Sequence, residues 1–340
     1  MATKIGKQTY LLESKPSICG WSAVVGKTEG EGPLAEEFDY IYDDDSINES
    51  SSFEKAESAL QREAVTRAVT KSGLCFEDVD AIMGGDLLNQ CIGTTFGIKE
   101  MNMPFIGLYG ACSTMALSLC IASTFVDSGA MKNTVVTTSS HFASSERQFR
   151  MPLEYGGQRT PTAQRTVTAA GASLLTNHKK NEPSVSAVIF GKITDLDIKD
   201  PNNMGAAMAP AAADTISQFL KDTGTKPTDY DLILTGDLGK VGKELLIELL
   251  IKDYNIDISS VHDDCGLMIY DIENQDVHAG GSGCGCAGAV LNSYIIRRMI
   301  SGELKKVLFV GTGALLSATS SLQGASIPGI AHGVLLTTEE

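Results

Sequence analysis

The stretches KSGLCFEDVDAIMGGDL (residues 71–87) and DTGTKPTDYDLILTGDL (residues 222–238) are one pattern written twice. An ungapped shift of 151 residues superposes Gly73 on Gly224, Asp78 on Asp229 and Asp80 on Asp231. The same shift sets Ile82 on Ile233, Gly85 on Gly236, Asp86 on Asp237 and Leu87 on Leu238. Each copy reads as a helix end, a short turn, a buried strand and a Gly-Asp loop. Repetition of a whole helix–strand–loop unit at this distance predicts an internally duplicated α/β fold. A site then has a natural place, where loops of the facing halves meet.

Ahead of the first copy, Ala56, Leu60, Ala64 and Ala68 recur at helical spacing. Ser51 with Glu54 has the form of a capping box, and Gly73 that of a glycine C-cap. A strand is expected over Ser17–Val25, entering a loop at Gly26. Residues 29–54, with Asp43, Asp44 and Asp45 in a row, read as an exposed acidic insertion, a solvated loop in preference to a cation site. After the first copy come Ala111-Cys112-Ser113, an apolar helix over Thr114–Asp127 and a strand over Asn133–Thr138. A helix apolar nearly all round is a buried one. The second half answers with a glycine-rich turn at Ala279–Cys286, a helix over Ala287–Ile300 and a strand over Lys306–Val310. A shift of 173 aligns Ser128-Gly129 with Ser301-Gly302 and sets Cys112 opposite Gly285. The halves are expected to divide near 178–186, giving units 1–182 and 183–340. In the Ala-rich stretch 205–213, Pro210 is expected to open a helix.

At 340 residues the chain has the length of about two domains. Its 43% apolar content supplies a large core. A net charge of −15 argues against nucleic acid and against an anionic membrane surface as partners, since both need clustered Lys and Arg. The eight cysteines include no CxxC pair and no His/Cys zinc spacing, so they read as reduced, mostly buried thiols with no metal site. The start MATKIGKQTYLL lacks the apolar core of a signal peptide, and no apolar run has the length of a membrane span. The protein is therefore expected to be soluble, or to reach a membrane only through another component.

Cys112 is the sharpest chemical candidate. It directly precedes a long buried helix, where the dipole and the unpaired N–H groups favour a thiolate. Its small neighbours leave space for a ligand. The alternative is a buried structural cysteine like most of the other seven.

The duplicated halves, the Gly110-Ala-Cys-Ser113 turn, the second glycine-rich turn, Ala169-Ala-Gly171-Ala-Ser-Leu-Leu and Val307-Leu-Phe-Val-Gly-Thr-Gly-Ala-Leu-Leu resemble the thiolase fold. The resemblance implies two layered α/β halves with buried central helices, and Cys112 at the nucleophile position for acyl transfer. Condensing enzymes of the ketoacyl synthase III type carry a histidine after the strand that here reads Asp231-Leu-Ile-Leu-Thr; this chain has Gly236 there. Gly281 stands where those enzymes carry an asparagine, and the Gly-His-Pro of a thiolase proper is missing. Condensation without these groups lacks its proton-transfer and oxyanion partners, so an impaired homologue with no catalytic residue is expected. An acyl-transfer enzyme using Cys112 is the alternative.

Four phrases are more specific: Ile18-Cys-Gly-Trp-Ser-Ala-Val-Val-Gly26, Phe38-Asp-Tyr-Ile-Tyr-Asp-Asp44, Met204-Gly-Ala-Ala-Met-Ala-Pro210 and Ser326-Ile-Pro-Gly-Ile-Ala-His332. They resemble the stage V sporulation AD family. That resemblance implies a protein of the forespore and spore, peripheral on the inner spore membrane. It implies binding of dipicolinic acid, with or without calcium as its chelate and with no other cofactor. The other stage V sporulation A membrane proteins would be its partners in loading the acid and releasing it at germination. Relatives of this fold are usually homodimers packed through the strand that is here Asn133–Thr138, whose mixed Val and Thr suit either an edge pair or an internal strand.

A dicarboxylate needs a local cationic patch on so acidic a chain. Residues 147–165 hold four of the eight arginines, Arg147, Arg150, Arg159 and Arg165, with one acid, Glu154. The guanidinium fork suits carboxylates. Arg159 and Arg165 are the preferred ligand pair, being nearest Ala169–Ser173, which the family resemblance sets by the central site. A solvated basic loop or a subunit contact is the rival reading. His278 in the glycine turn and His332 near the C-terminus are expected to reach the pocket between halves, and His141 that pocket or a dimer contact. Asp86 and Asp237 are expected to brace the paired loops, with Asp237 alone also placed to meet calcium.

Overall fold

The computed structural model describes residues 1–47, 50–150 and 158–338. The first half contributes β1 (Ser17–Val25), β2 (Ala81–Gly85), β3 (Phe105–Gly107), β4 (Thr134–Ser140) and β5 (Ala169–Thr176). The second contributes β6 (Ser184–Ile189), β7 (Leu232–Thr235), β8 (His262–Asp264), β9 (Lys306–Ala314) and β10 (Gly329–Thr337). These strands follow one hydrogen-bonded path, β8-β7-β9-β10-β6-β1-β5-β4-β2-β3. Each half therefore has the order third-second-fourth-fifth-first. In each, the second strand runs parallel to the third and fourth, and the fifth runs antiparallel to its neighbours. The duplication in the sequence is a duplication of topology. The two five-strand sets touch in register only at Ser17 and Ser184.

Helix α1 (Phe53–Ser72) packs on β1, β4 and β5. Helix α2 (Thr114–Asp127) touches strands of both sets and so lies between them. Helices α3 (Met204–Thr223) and α4 (Gly239–Tyr254) pack on each other, with α3 against β9 and β10. Helix α5 (Cys284–Val290) continues through a π-type turn at Leu291–Ile295 into Ile296–Ile300, against β4 and β5. A Cβ built on Gly171 of β5 would stand 2.3 Å from the carbonyl carbon and oxygen of Gly288 in α5, so backbone rests on backbone there.

Several boundaries fall where the residue pattern sets them. The strand Ser17–Val25 and the helix Thr114–Asp127 have the expected limits. Gly73 ends α1 with φ of 77°, a left-handed residue that glycine takes without a Cβ clash. Four expectations need correction. The cap of α1 is Ser52, whose extended backbone aims its hydroxyl at the Lys55 N–H (3.3 Å); N3 is then Lys55 and no box with Glu54 exists. Pro210 lies inside α3, which starts six residues earlier under an Asn203 cap. The second central helix begins at Cys284, ahead of Ala287. The acidic insertion is anchored: Glu29, Leu34, Phe38, Tyr42 and Ile47 are buried, and the spaced apolar side chains carry it inward despite its charge. Of the two places open to the strand Asn133–Thr138, an edge or the interior of the sheet, it takes the interior. The strand formed, β4, runs two residues further, to Ser140, and sits between β2 and β5; among the described residues the sheet ends at β3 in the first half.

Candidate functional site

The loop after β3 rises through Tyr109 and Gly110 to Ala111, whose φ of 49° turns the chain sharply before Cys112. Ser113 donates from its N–H (3.0 Å) and Oγ (2.6 Å) to the Gly110 carbonyl, and Gly110 N–H donates to Thr114 Oγ1 (3.0 Å). This pins Cys112 just ahead of α2, facing the second half.

Asp237, at the end of β7, meets it there. Its Oδ2 accepts from Ser282 Oγ (3.0 Å) and Gly283 N–H (2.8 Å), and its Oδ1 accepts from Thr312 Oγ1 (2.8 Å). Cys112 Sγ lies 3.9 Å from Ser282 Oγ. Cys112 is 5% exposed. Burial pushes its thiol well above the usual range, the Asp237 carboxylate adds to that rise, and Arg150 opposes it. This direction runs against the expected thiolate: desolvation and a neighbouring acid oppose the helix terminus. Asp237 is raised as well, by burial against the pull of its donors. Both of its oxygens accept from protein donors, and the side chain is fully buried. Among the described residues, no three His, Cys, Asp or Glu gather as a metal site.

Arg150 is the cation at Cys112. It ends a π-type turn, Glu146–Arg150, and its Nη1 donates to the Gln164 carbonyl (2.8 Å). Gln164 Nε2 donates in turn to the carbonyls of Asp237 and Gly281, both at 2.7 Å. Burial lowers the Arg150 pKa while Cys112, Glu146 and Asp237 support its charge. Arg150, Cys112, Leu87, Tyr109, Phe149 and Leu316 line an inner chamber of about 20 Å³, the space of about one water. Outside it lies a cleft of about 490 Å³, which shares Leu87, Tyr109, Phe149 and Leu316 and adds Asn89, Gln90 and Gln148. Arg150 is the one charged side chain among the described residues that line the two spaces. A larger surface cleft of about 760 Å³ lies at the C-terminal ends of α3 and α4, without cysteine, histidine or arginine.

The structure brings Cys112 and Asp237 together and holds the other expected contacts apart from them. Arg159 pairs with Asp276 (2.8 Å) and donates to its carbonyl. Arg165 lies over the Phe142 ring, 3.9 Å from its centroid. Neither lines the chamber. Residues 151–157 of the expected arginine loop, with Glu154, lie outside the described residues. His278 pairs with Asp276 (3.0 Å). His332 sits within β10, accepts from Gly191 N–H (3.2 Å) and is pulled down to about 4 by burial. Neither reaches Cys112. His141 bonds the Asp45 carbonyl (2.7 Å) and accepts from Ala143 N–H, a local cap. Asp86 braces its own loop through Leu88 N–H and Thr94. Sequence reading passes over Arg150 as a ligand, and over Phe149, Ser282, Thr312 and Gln164. Arg150 stands in the counted run, with no local signal to separate it from its neighbours.

Two further buried acids give a pH signature. Asp264 accepts from Thr235 Oγ1 (2.6 Å) and the N–H groups of Leu238 and Gly239, holding the Asp237 loop. Glu29 accepts from the Tyr270 hydroxyl and from Thr168 N–H (3.0 Å). Burial raises each to about 7. A carboxyl raised in the folded state stabilises fully below its ordinary range and loses that contribution as pH rises through about 7. Stability is therefore expected to fall from pH 5 to pH 7, by about 1.4 kcal/mol per pH unit per group at most. Denaturant melts across that window check this, and Asp264→Asn should flatten the slope; an unchanged slope in that variant refutes the assignment.

The profile of the stage V sporulation protein AD family matches residues 6–337. A stage V sporulation protein AD of Bacillus subtilis (strain 168) is 44% identical over 330 residues, covering 97% of this chain and 96% of that one. Among solved structures, the 3-oxoacyl-[acyl-carrier-protein] synthase III of Aquifex aeolicus VF5 superposes with a TM-score of 0.57 at 15% identity, over 95% of this chain and 99% of its own. Cerulenin-bound OleA of Xanthomonas campestris gives 0.62 at 12% identity, over 96% and 99%. At such identities the likeness is one of fold, and the fold is thiolase-like.

Proposed function

We propose, since the chain belongs to the stage V sporulation protein AD family, that it binds dipicolinic acid in the cleft before Cys112 and does no chemistry on it. The observation that carries this reading is the guanidinium of Arg150 in the inner chamber, the one charged side chain among the described residues that line chamber and cleft. A planar dicarboxylate suits that layout: one carboxylate on the arginine fork, the ring against Tyr109 and Phe149, the other end among Asn89, Gln90 and Gln148. The neutral, buried Cys112 and the glycine at position 236 favour a binding role over acyl transfer. In this reading the protein loads the acid into the developing spore and releases it at germination, with the stage V sporulation A membrane proteins as partners. No helix among the described residues is long and apolar enough to cross a membrane, which fits peripheral attachment to the inner spore membrane. We assign the homodimer contact to β3, where the sheet ends in the first half among the described residues, since an unpaired edge is a template for a second chain.

Calorimetric titration with dipicolinate, with and without calcium, tests the ligand. Saturable heat is expected, and Arg150→Met should weaken it by about tenfold to a hundredfold, the worth of a charge-assisted hydrogen bond. Silence at millimolar ligand, or full affinity in Arg150→Met, removes the proposal. The acyl-transfer reading then comes forward and predicts a Cys112 thioester on incubation with acyl-CoA.

A further inference from the structure

Four side chains, Leu87, Tyr109, Phe149 and Leu316, face both the outer cleft and the inner chamber. They form the wall between a space of about 490 Å³ and one of about 20 Å³. Phe149 is the largest apolar group of the four, and it packs against the cluster of Leu87, Cys112 and Cys284. No ring compound fits an inner space the size of about one water. Contact between Cys112 or Arg150 and such a ligand requires this wall to part.

What moves can be read from how the wall is mounted. The two residues flanking Phe149 are tied down through their side chains. Gln148 Oε1 accepts from Asn89 N–H (3.2 Å), and Arg150 Nη1 donates to the Gln164 carbonyl (2.8 Å). Across the cleft, Leu315 N–H donates to Pro328 O and Leu316 N–H to Ala314 O, each at 2.8 Å. Among the described residues, the supports are hydrogen-bonded, whereas the Phe149 ring is held by packing. Rotation of one half-buried ring is far cheaper than lifting a hydrogen-bonded turn.

We propose that Phe149 is the specificity-determining gate of this site, swinging aside only for a flat, narrow ligand. Its ring covers Cys112 when the site is empty and lies along the face of the occupant when it is filled. The identity of the occupant rests on the dicarboxylate reading above; the gate itself does not. Phe149→Ala opens the chamber to bulkier compounds, and Phe149→Trp narrows it.

The test needs no ligand. Cys112 and Cys91 are both available as reporters, and Cys91 lines the outer cleft only. The full chain is treated with a small reagent, methyl methanethiosulfonate, or a bulky one, the aromatic disulfide dithiobis(nitrobenzoate). In either case the cysteine sulfur displaces one half of the reagent, forming a new disulfide and releasing sulfinate or thionitrobenzoate. Peptide-resolved mass spectrometry gives the rate at each cysteine. Taking the bulky-to-small ratio at Cys112 cancels changes in thiol acidity. In the wild type this ratio should lie well below that at Cys91. Phe149→Ala should raise it several-fold, because the bulky reagent needs a wider parting of the wall than the small one, and leave Cys91 unchanged. Phe149→Leu should give an intermediate rise and guards against misfolding of the alanine variant. The gate is refuted by an unchanged Cys112 ratio in both variants, and equally by parallel rises at Cys112 and Cys91, which report general loosening. Loss of dipicolinate binding with a preserved labelling pattern would strike the ligand reading alone.

Discussion

Asp237→Ala is expected to lower unfolding stability by about 3–5 kcal/mol, because it leaves three buried donors without an acceptor. Ser282 Oγ, Gly283 N–H and Thr312 Oγ1 all end on that carboxylate, and all three residues are buried. Each orphaned donor costs on the order of 1–3 kcal/mol. The damage is also structural in a directed way. The glycine turn at 281–283, β7 and β9 meet at this one side chain, so its loss loosens the wall behind Cys112. Asp237→Asn keeps one acceptor oxygen and should cost less. Removing the negative neighbour should also make the Cys112 thiol more acidic, since Asp237 contributes to its rise. Denaturant unfolding and the pH dependence of Cys112 alkylation read the two effects. A loss under about 1 kcal/mol in the alanine variant would mean that the donors find other partners.

The second large effect is steric. Gly171→Val sets a branched side chain where even a Cβ stands 2.3 Å from the Gly288 backbone. The obstacle is main chain in a central helix, so no flexible side chain can give way. Overpacking of this kind costs about 3 kcal/mol or more, at the upper end of its usual range. Gly73→Ala is the matched control: its Cβ would meet nothing within 4 Å, and only its φ of 77° resists the change. A cost of about 1 kcal/mol is expected there. Similar midpoints for the two variants in thermal melts would show that α5 can back away from β5.

Fold and site differ in how far they are readable from residues alone. The duplicated phrase, the run Ser17–Val25 and the helix Thr114–Asp127 are readable because burial on all sides leaves a continuous apolar signature, and glycines mark the ends. The cap of α1 falls one position from its expected place because two adjacent serines offer the same hydroxyl. Pro210 misleads because a proline inside a helix and one opening it look alike in an alanine-rich run. The acidic insertion misleads when its charge is weighed over the spacing of Leu34, Phe38 and Tyr42. Cys112 and Asp237 emerge from the repeat itself. Arg150 and Phe149 do not, since their roles depend on where one irregular turn crosses a loop of the other half. Nothing in their neighbours along the chain records that crossing. The same blindness favours Arg159 and Arg165, near the site in sequence and turned to Asp276 and Phe142 in space.

The internal repeat carries a consequence for stoichiometry. Two equivalent halves would be expected to offer two equivalent cradles: one with Cys112 and Asp237, the other with their counterparts Gly285 and Asp86. The second cradle is filled. A Cβ on Gly285 would come within 2.5 Å of both the Ala169 carbonyl and Ser140 Oγ, so not even a methyl group fits, and Asp86 is committed to Leu88 and Thr94. The pseudo-twofold relation that built the fold is therefore broken at the one place where it would have doubled the capacity. On the proposed binding role, a chain made of two copies is expected to take up a single guest.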